Sequence, residues 1–345
     1  MNVDSICPRS TIVGTLSSSS SSLLLLPATE YYRTLIVTGG MNGEVHFIAC
    51  DGSNDVVKMP SRTGSPITAL TIGNLRGRVR TRPELVAIAA DGLLQCVHPP
   101  YSHHSSVYTQ TVQSNIAAAH IMDVDGDGQE ELVVIMTDRV VRSFRWSLES
   151  SRLHPVNKWE VPNQISGLSI GESVTSLRSA EVWLSQLRAR FYVCVPFSGQ
   201  QPTVIYPQNK EVRSDVMLIP FRSHYIHIMG TIISNIVIVA NKKERTLINP
   251  GRGVEAAAAV RHKSFNCIVT LDITGMILVY GYDQRSISKP EIAPLLYFKT
   301  FSSATYLAVT LTGDLLIIAA MGVSGNVVVY EVPVKIIISK LSLQL

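Results

Sequence analysis

The stretch LVAIAADGLLQCV, residues 85–97, carries the pattern that decides the fold of this chain. Two apolar runs, rich in residues that favour strands, flank the pair Asp91-Gly92. The tight turns that join antiparallel strands need positive φ at both central positions, and Asp-Gly accommodates this conformation. The stretch therefore predicts a β-hairpin.

The same pattern recurs along the chain from Arg33 onward. The first apolar runs begin at Leu35, Leu85, Leu132, Val182, Ile236, Ile268 and Leu316, at intervals of 50, 47, 50, 54, 32 and 48 residues. The turns are expected at Asn42-Gly43, Asp91-Gly92, Asp138-Arg139, Arg188, Asn241-Lys242, Thr274-Gly275 and Ser324-Gly325. Hairpins that repeat every 40–50 residues or so are typical of a β-propeller with about four strands per blade. The sequence thus predicts an all-β propeller of seven blades, with six as the alternative because one interval is short.

Continuous apolar runs such as Leu132–Ile135 are typical of strands buried on both faces, and we assign them to the innermost strand of each blade. This assignment accounts for the positive mean hydropathy of +0.22 without a membrane. The longest candidate for a membrane span, Ile226 to Ala240, is interrupted by polar residues and is shorter than the roughly 18 residues required. We therefore predict no transmembrane segment.

The composition excludes several classes of protein. The chain has 345 residues, 46% of them hydrophobic and 16% charged, which is enough apolar material for a large core and excludes global disorder. A net charge of +4 is too small to indicate nucleic-acid binding. The five cysteines show no zinc or disulfide spacing, and none of the thirteen asparagines begins an Asn-x-Ser/Thr site. These features favour a reducing, intracellular environment.

The two ends of the chain depart from the repeat. A serine run at Ser17–Ser22 precedes Leu23–Leu26, and this apolar run is too short for a secretory signal. We expect a low-complexity, disordered lead-in over residues 1–30 and the propeller over residues 31–332. Residues 333–345 are expected to form a tail or a partial closing strand.

One stretch, DVDGDGQEE at 123–131, carries a pattern of metal ligands. Carboxylates at loop positions 1, 3, 5 and 9, with a backbone carbonyl at position 7, converge on one point in a tight loop. Oxygen ligands of this kind select Ca²⁺. The predicted structural calcium ligands are Asp123, Asp125, Asp127, Gln129 and Glu131. An EF-hand is excluded, because its twelfth position would be Val134, inside a strand. The alternative is an acidic turn held by hydrogen bonds alone.

Three other motifs give weaker signals. The run Gly167–Gly171 matches a nucleophile elbow, but no helix follows it, so we predict a blade strand and no catalytic residue. His98, His103 and His104 lack a cysteine or acid to complete a metal site, which favours an exposed loop. Arg76, Arg78, Arg80 and Arg82 form a basic loop, either a solvated connection or a contact for an acidic partner or lipid phosphate.

The acidic loop and the strand after it, Asp123 to Val134, resemble an FG-GAP repeat, the blade unit of integrin-alpha-type propellers. The longer stretch to Trp146, with Lys158-Trp159, resembles the integrin-alpha FG-GAP repeat-containing subunits of the KICSTOR complex. The resemblance is strong over about 119–159 and diffuse over about 31–332.

This resemblance implies a non-enzymatic scaffold that recruits the GATOR complex to the lysosomal surface. The expected outcome is negative regulation of target-of-rapamycin signalling when amino acids or glucose are scarce. The implied partners are a kaptin-like subunit, the large seizure-threshold subunit and GATOR, with no nucleic acid and no small-molecule substrate. The alternative is an extracellular integrin-alpha-like adhesion propeller. That class carries several calcium loops, glycan sites and a signal peptide, of which the residues provide only one loop.

Overall fold

The structure is a computed structural model that describes most of the chain. The described residues are 9–15, 19–50, 55–76, 82–162, 164–172, 180–186, 192–195, 203–205, 215–220, 224–229, 235–240, 243–248, 252–283 and 292–344. Within these ranges the chain forms seven antiparallel sheets of four strands each.

The first three blades hold the segments to which the sequence assigned the clearest hairpins. Blade 1 contains β2 (Ser20–Leu26), β3 (Leu35–Gly40), β4 (Val45–Ala49) and β5 (Val56–Met59). Blade 2 contains β6 (Ile67–Gly73), β7 (Glu84–Ala89), β8 (Leu93–Val97) and β9 (Tyr108–Thr111). Blade 3 contains β10 (Ile116–Met122), β11 (Glu131–Met136), β12 (Val140–Ser147) and β13 (Arg152–Glu160).

The remaining blades continue this order until the last sheet, which also takes the first strand of the chain. Blade 4 contains β14 (Ile165–Glu172), β15 (Ala180–Gln186), β16 (Tyr192–Val195) and β17 (Thr203–Ile205). Blade 5 contains β18 (Asp215–Pro220), β19 (His224–Met229), β20 (Asn235–Ala240) and β21 (Lys243–Ile248). Blade 6 contains β22 (Val254–Arg261), β23 (Asn266–Asp272), β24 (Met276–Tyr282) and β25 (Leu296–Lys299). Blade 7 contains β26 (Ala304–Thr312), β27 (Leu315–Gly322), β28 (Asn326–Pro333) and β1 (Arg9–Thr15).

The innermost strands of the seven blades form a closed ring around a common axis. Each of β2, β6, β10, β14, β18 and β22 contacts the corresponding strand of the next blade, and β26 contacts β2. This is the arrangement of a β-propeller. The predicted all-β propeller of seven blades is confirmed, and the six-blade alternative is excluded.

The most buried strands are the second strands of their blades, whereas the sequence predicted that they would be the innermost strands. Leu132–Ile135 belongs to β11, which lies between β10 and β12 and is buried along its whole length. In the innermost strand β10 only Ile116, Ala119 and Met122 are buried, and the strand includes three consecutive alanines. The assignment of the continuous apolar runs to the innermost strands was therefore wrong, because a second strand is covered on both faces by the neighbouring blades.

The short interval of 32 residues has a similar origin. Ile236 lies in β20, the third strand of blade 5, whereas the other run starts lie in second strands. Its partner in the second strand is Ile228, and the register also pairs Ile226 with Ile238. Measured from Ile226 in β19, the next interval, to Ile268, is 42 residues. The repeat is thus more regular than its sequence signal.

The predicted turns that the structure describes have positive φ at the second central position only. The expectation of positive φ at both central positions was wrong, because Asn42, Asp91 and Thr274 do not adopt this conformation. Gly43, Gly92, Gly275 and Gly325 have φ between 78° and 88°. In blade 3 the corresponding position is Arg139, with φ 71°. At Gly275 a Cβ would also collide with the backbone carbonyl of Phe301, so that position needs glycine for two reasons.

The described part of residues 1–30, namely 9–15 and 19–30, differs from the expected disordered lead-in, and the rest of that segment lies outside the described residues. Ser20–Leu26 is the innermost strand of blade 1, with Leu25 and Leu26 buried. The Ser21 hydroxyl donates to the carbonyl of Ile67 at 2.6 Å, which ties blade 1 to blade 2. The polar hydroxyl is compatible with this half-buried position because it finds a backbone acceptor there. The strand Ser20–Leu26 is therefore part of the propeller.

The C-terminal segment differs from the expected tail or partial strand. After β28, the chain forms the helix α1 (Val334–Gln344), and Ile337 of α1 is fully buried. The outer strand of blade 7 comes from the other end of the chain, since β1 pairs with β28 from Arg9 opposite Glu331 to Thr15 opposite Asn326. No helix in the described part of the chain has the length and apolar content that crossing a bilayer requires.

Candidate functional site

The acidic loop connects the first two strands of blade 3. Asp123 directly follows β10, and Glu131 is the first residue of β11. The Asp123 carboxylate accepts the N–H of Gly126 at 2.6 Å through Oδ1 and the N–H of Gly128 at 2.8 Å through Oδ2. Both glycines have positive φ, which lets the backbone curl around this carboxylate.

Three of the five predicted ligands meet in space. Asp123, Asp125 and Glu131 each offer one carboxylate oxygen, and these atoms lie within 4.8 Å of one another. Glu131 is completely buried, and its Oε2 accepts the N–H of Val124 at 3.1 Å. Among the described residues this is the one group of three or more potential metal ligands at such distances.

The other two predicted ligands lie beside this group. Oδ1 of Asp127 accepts the N–H of Gln129 at 2.8 Å. The side chain of Gln129 is engaged elsewhere, since its Nε2 donates to the carbonyl of Trp146 at 3.0 Å. This contact joins the loop to β12.

The residue that sequence analysis missed is Arg145 in β12. Its Nη2 lies 2.6 Å from Oδ2 of Asp125, and its Nη1 lies 3.2 Å from Oδ2 of Asp127. Its Nε donates to Oε1 of Glu131 at 2.6 Å, and Nη2 contacts the same oxygen. One guanidinium therefore bridges three carboxylates of the loop.

Every carboxylate oxygen of Asp123, Asp125, Asp127 and Glu131 has a donor within the protein. Backbone N–H groups serve five of these oxygens, and Arg145 serves the other three. The donor set is of the oxygen type that Ca²⁺ prefers. However, the guanidinium of Arg145 already supplies the positive charge that a calcium ion would contribute. As arranged, these residues do not fit a resident calcium ion, and the calcium ligands stay a prediction.

The electrostatics of this cluster follow from burial and pairing. Burial disfavours the charge of Arg145, but its hydrogen bonds to Asp125 and Glu131 outweigh this effect and raise its pKa further above the ordinary arginine value. Burial raises the pKa of Glu131, although the Val124 N–H and Arg145 act in the opposite direction. Arg145 therefore stays protonated and provides the charge that makes burial of Glu131 tolerable.

The sequence does contain a signal for Arg145. Glu131 and Arg145 are each seven residues from Asp138 in the predicted turn. Two positions equidistant from a hairpin turn lie opposite each other on neighbouring strands, as the pairing of Leu132 with Phe144 shows one step away. Extending the ladder across the acidic motif would have paired the glutamate with the arginine.

Comparison with known families places this repeat in context. The family model for integrin-alpha FG-GAP repeat-containing protein 2 matches residues 53–246, which is more than half of the chain. The chain belongs to this family. The match begins beside β5 in blade 1 and extends through most of blade 5, so it includes the acidic loop.

Two curated relatives of this FG-GAP family chain carry the same name. The Bos taurus "KICSTOR complex protein ITFG2" is 42% identical over 71 residues, covering 19% of this chain and 13% of that protein. The Mus musculus protein of that name is 33% identical over 107 residues, covering 25% of this chain and 24% of that protein. The matched part thus spans no more than about a quarter of either relative.

Solved structures resemble the FG-GAP family chain in fold. "Structure of U3-55K" has a TM-score of 0.68 at 11% identity, covering 94% of this chain and 98% of that one. BBS1N, solved in complex with ARL6DN, has a TM-score of 0.65 at 10% identity, covering 94% and 95%. The WD40 propeller domain of Doa1 has a TM-score of 0.60 at 10% identity, covering 94% and 97%. At such identities these similarities show the propeller fold alone.

The other candidate motifs of this chain form neither a catalytic site nor a metal site. Gly167–Gly171 is within β14, an innermost strand, and does not form an elbow before a helix. His103 and His104 are exposed, while Nδ1 of His98 lies 3.2 Å from the carbonyl oxygen of Pro83. The three histidines do not form a metal site.

The basic loop is partly engaged. The Nε of Arg76 donates to Oε1 of Glu84 at 2.6 Å. Arg82 donates to the carbonyl of Pro99 at 2.5 Å, and its guanidinium lies over the ring of Tyr31. Arg78 and Arg80 lie outside the described residues. The described arginines of this loop therefore make contacts within the protein.

A cleft of about 520 Å³ lies between the β11–β12 turn and the end of β13. Its polar lining includes Asp138, Arg139, Lys158 and Glu160, and Lys158 is paired with Glu160 at 2.6 Å. None of the residues that line this cleft is a serine, cysteine or histidine. The cleft thus lacks the usual pairing of a nucleophile with a histidine base.

Proposed function

We propose that this chain is a non-enzymatic scaffold subunit of a KICSTOR-type complex. The observation that carries the proposal is the family match over residues 53–246, together with two relatives that are both named as KICSTOR complex proteins. The propeller fold supports it, because the strand-connecting loops of such a ring offer many separate surfaces to protein partners.

The local chemistry of the described residues supports a non-enzymatic role. The one sequence that matched a nucleophile motif lies within the strand β14, and the described cleft lacks a nucleophile and a histidine base. The acidic cluster is saturated by backbone N–H groups and by Arg145. Its carboxylates therefore serve the loop, and none is held ready as a general base.

In cells, the scaffold holds a GATOR complex at the lysosomal surface, alongside a kaptin-like subunit and the large seizure-threshold subunit. It is peripheral to the membrane and is held there through its partners. The consequence is restraint of target-of-rapamycin signalling when amino acids or glucose are withdrawn. These partners and this location follow from the family resemblance, and binding experiments decide them.

Affinity purification of the full chain tests the proposal. The tagged protein is expressed in cells, isolated before and after amino-acid withdrawal, and analysed by quantitative mass spectrometry. We expect enrichment of kaptin-like, seizure-threshold and GATOR subunits over a control in which the same tag is carried by an unrelated seven-bladed WD-repeat propeller. Enrichment of cell-surface receptors in their place would support the adhesion alternative and overturn the scaffold proposal.

A further inference from the structure

We propose that Arg145 is the built-in counter-ion of the acidic loop in blade 3. In this chain the guanidinium takes the place that calcium holds in loops of this pattern, and the loop keeps its conformation without a metal ion. Removing the arginine side chain is then expected to create a calcium site from residues that already face one another.

The geometry of the cluster carries the first step. The guanidinium reaches Asp125, Asp127 and Glu131 with three different nitrogens, so a single side chain pairs with all three carboxylates. Glu131 is completely buried, whereas the Arg145 side chain is 28% exposed. A planar guanidinium with several fixed donors suits such a multiple contact better than a single ammonium group would.

The neighbouring blade provides an independent comparison within the same chain. Glu84 begins β7 as Glu131 begins β11, and it is also buried. Glu84 accepts the N–H of Arg76 at 3.2 Å, as Glu131 accepts the N–H of Val124. The positive charge at Glu84 comes from the side chain of Arg76, which bonds to it directly.

The comparison extends to the third strand of each blade. Leu132 pairs with Phe144 and Leu85 with Val97, so the next residues, Arg145 and His98, occupy equivalent places. Nε2 of His98 lies 3.7 Å from Oε1 of Glu84. In each of these two adjacent blades, a basic residue on the third strand thus lies opposite a buried glutamate at the start of the second strand. Blade 2 lacks the Asp-x-Asp-x-Asp motif, and there the arginine side chain of Arg76 serves as the cation for the buried glutamate.

Terbium luminescence and thermal unfolding of the full chain test the proposal. Tb³⁺ occupies calcium sites and emits when a nearby tryptophan is excited, and Trp146 follows Arg145 directly. For the wild type we expect no saturable Tb³⁺ emission and the same Tm in 5 mM CaCl₂ and in EGTA. For Arg145→Gln we expect saturable emission that Ca²⁺ displaces, and a calcium-dependent Tm rise of about 2–3 °C for a Kd of about 0.1–1 mM.

Matched variants identify the site. Arg145→Lys keeps the positive charge and is expected to stay insensitive to Ca²⁺. The double variant Asp125→Asn/Arg145→Gln is expected to lose the gained response. The wild-type measurement decides the proposal even where Arg145→Gln fails to fold. One calcium bound per wild-type chain with a Tm rise, abolished by Asp125→Asn, would overturn it, as would a folded Arg145→Gln protein that binds neither ion.

Discussion

At the scale of single residues, two buried glutamates show how this propeller accommodates charge near its core. Glu84 and Glu131 each lie at the start of a second strand and are each bonded to an arginine. Removing one partner of a buried ion pair leaves an uncompensated charge and costs several kcal/mol. The arginines are therefore structural residues, and their removal is expected to destabilise the blades that contain them.

Two histidines make the stability of the protein depend on pH. His46 is fully buried, and burial lowers its pKa more than the neighbouring Glu44 raises it. Burial lowers the pKa of His120 on β10 to about 4. Both imidazoles take up protons more readily in the unfolded chain, where the pKa is about 6.5. The unfolded state thus binds more protons below that pH, and stability is lost as pH falls from about 6.5 toward 4.

The slope of this loss is at most about 1.4 kcal/mol per pH unit for each histidine. Urea unfolding between pH 4 and pH 8 measures it. His120→Gln is expected to flatten the dependence, while His104→Gln, at an exposed position, serves as the matched control. A slope that is the same in both variants and in the wild type would contradict this account.

The loop residues and their partner differ in how far they can be predicted. The alternation of carboxylates in DVDGDGQEE is local, so the convergence of Asp123, Asp125 and Glu131 could be predicted from spacing. Arg145 arrives from the next strand, and its contact depends on hairpin register, which the local motif does not contain. The choice between a metal ion and a side chain as the counter-ion was therefore beyond a reading of the motif alone.

At the scale of secondary-structure elements, turn chemistry was the most informative signal. The turns at Asn42-Gly43, Asp91-Gly92 and Thr274-Gly275 join consecutive strands as predicted. The sequence indicated less clearly which strand of a blade is innermost and which is second. An apolar run shows that a strand is buried, but neighbouring blades decide whether it is the innermost or the second strand, as Leu132–Ile135 demonstrates.

The serine run was misassigned for a related physical reason. Composition alone made Ser17–Ser22 resemble a low-complexity segment. The hydroxyl of Ser21 instead bonds to carbonyls of Gly39 and Ile67, the second of them in the next blade. The Ile67 carbonyl becomes an acceptor only when blade 2 packs beside blade 1, so no local pattern predicts this contact.

The helix α1 provides a test by adjacent substitutions. Ile337 is fully buried and lies in the core cluster shared by blades 6 and 7, whereas its neighbour Ile338 is 38% exposed. Ile337→Ala is expected to lower the free energy of unfolding by about 2–4 kcal/mol, because it leaves a cavity. Ile338→Ala, with the same change in composition, is expected to cost less than about 1 kcal/mol.

Chemical denaturation of the two alanine variants beside the wild type measures this difference. Equal effects of the two substitutions would mean that α1 does not pack on the propeller in solution. The helix would then belong to a tail, as the sequence alone suggested.

At the scale of the whole molecule, the propeller is closed by β1. This strand is the fourth of blade 7, and six residue pairs join it to β28. Removing residues 1–16 is expected to lower the free energy of unfolding by on the order of 3 kcal/mol, because a ladder of hydrogen bonds is lost. The exposed edge of β28 is also expected to promote aggregation.

Urea unfolding and light scattering of the truncated chain measure both effects. A synthetic peptide of residues 9–16, added in excess, is expected to restore stability by adding the missing strand, whereas a scrambled peptide is not. A truncated protein as stable and as monomeric as the wild type would show that β1 does not contribute to closure.

The pairing of β1 with β28 also imposes an order on biosynthesis. More than three hundred residues separate the two strands along the chain. At roughly 5–20 residues per second, a ribosome needs about 15–60 s after synthesising β1 before it has synthesised β28. During this interval β1 is synthesised but unpaired, so the nascent chain is expected to need chaperones. A premature stop codon before β28 would leave β1 without its native partner.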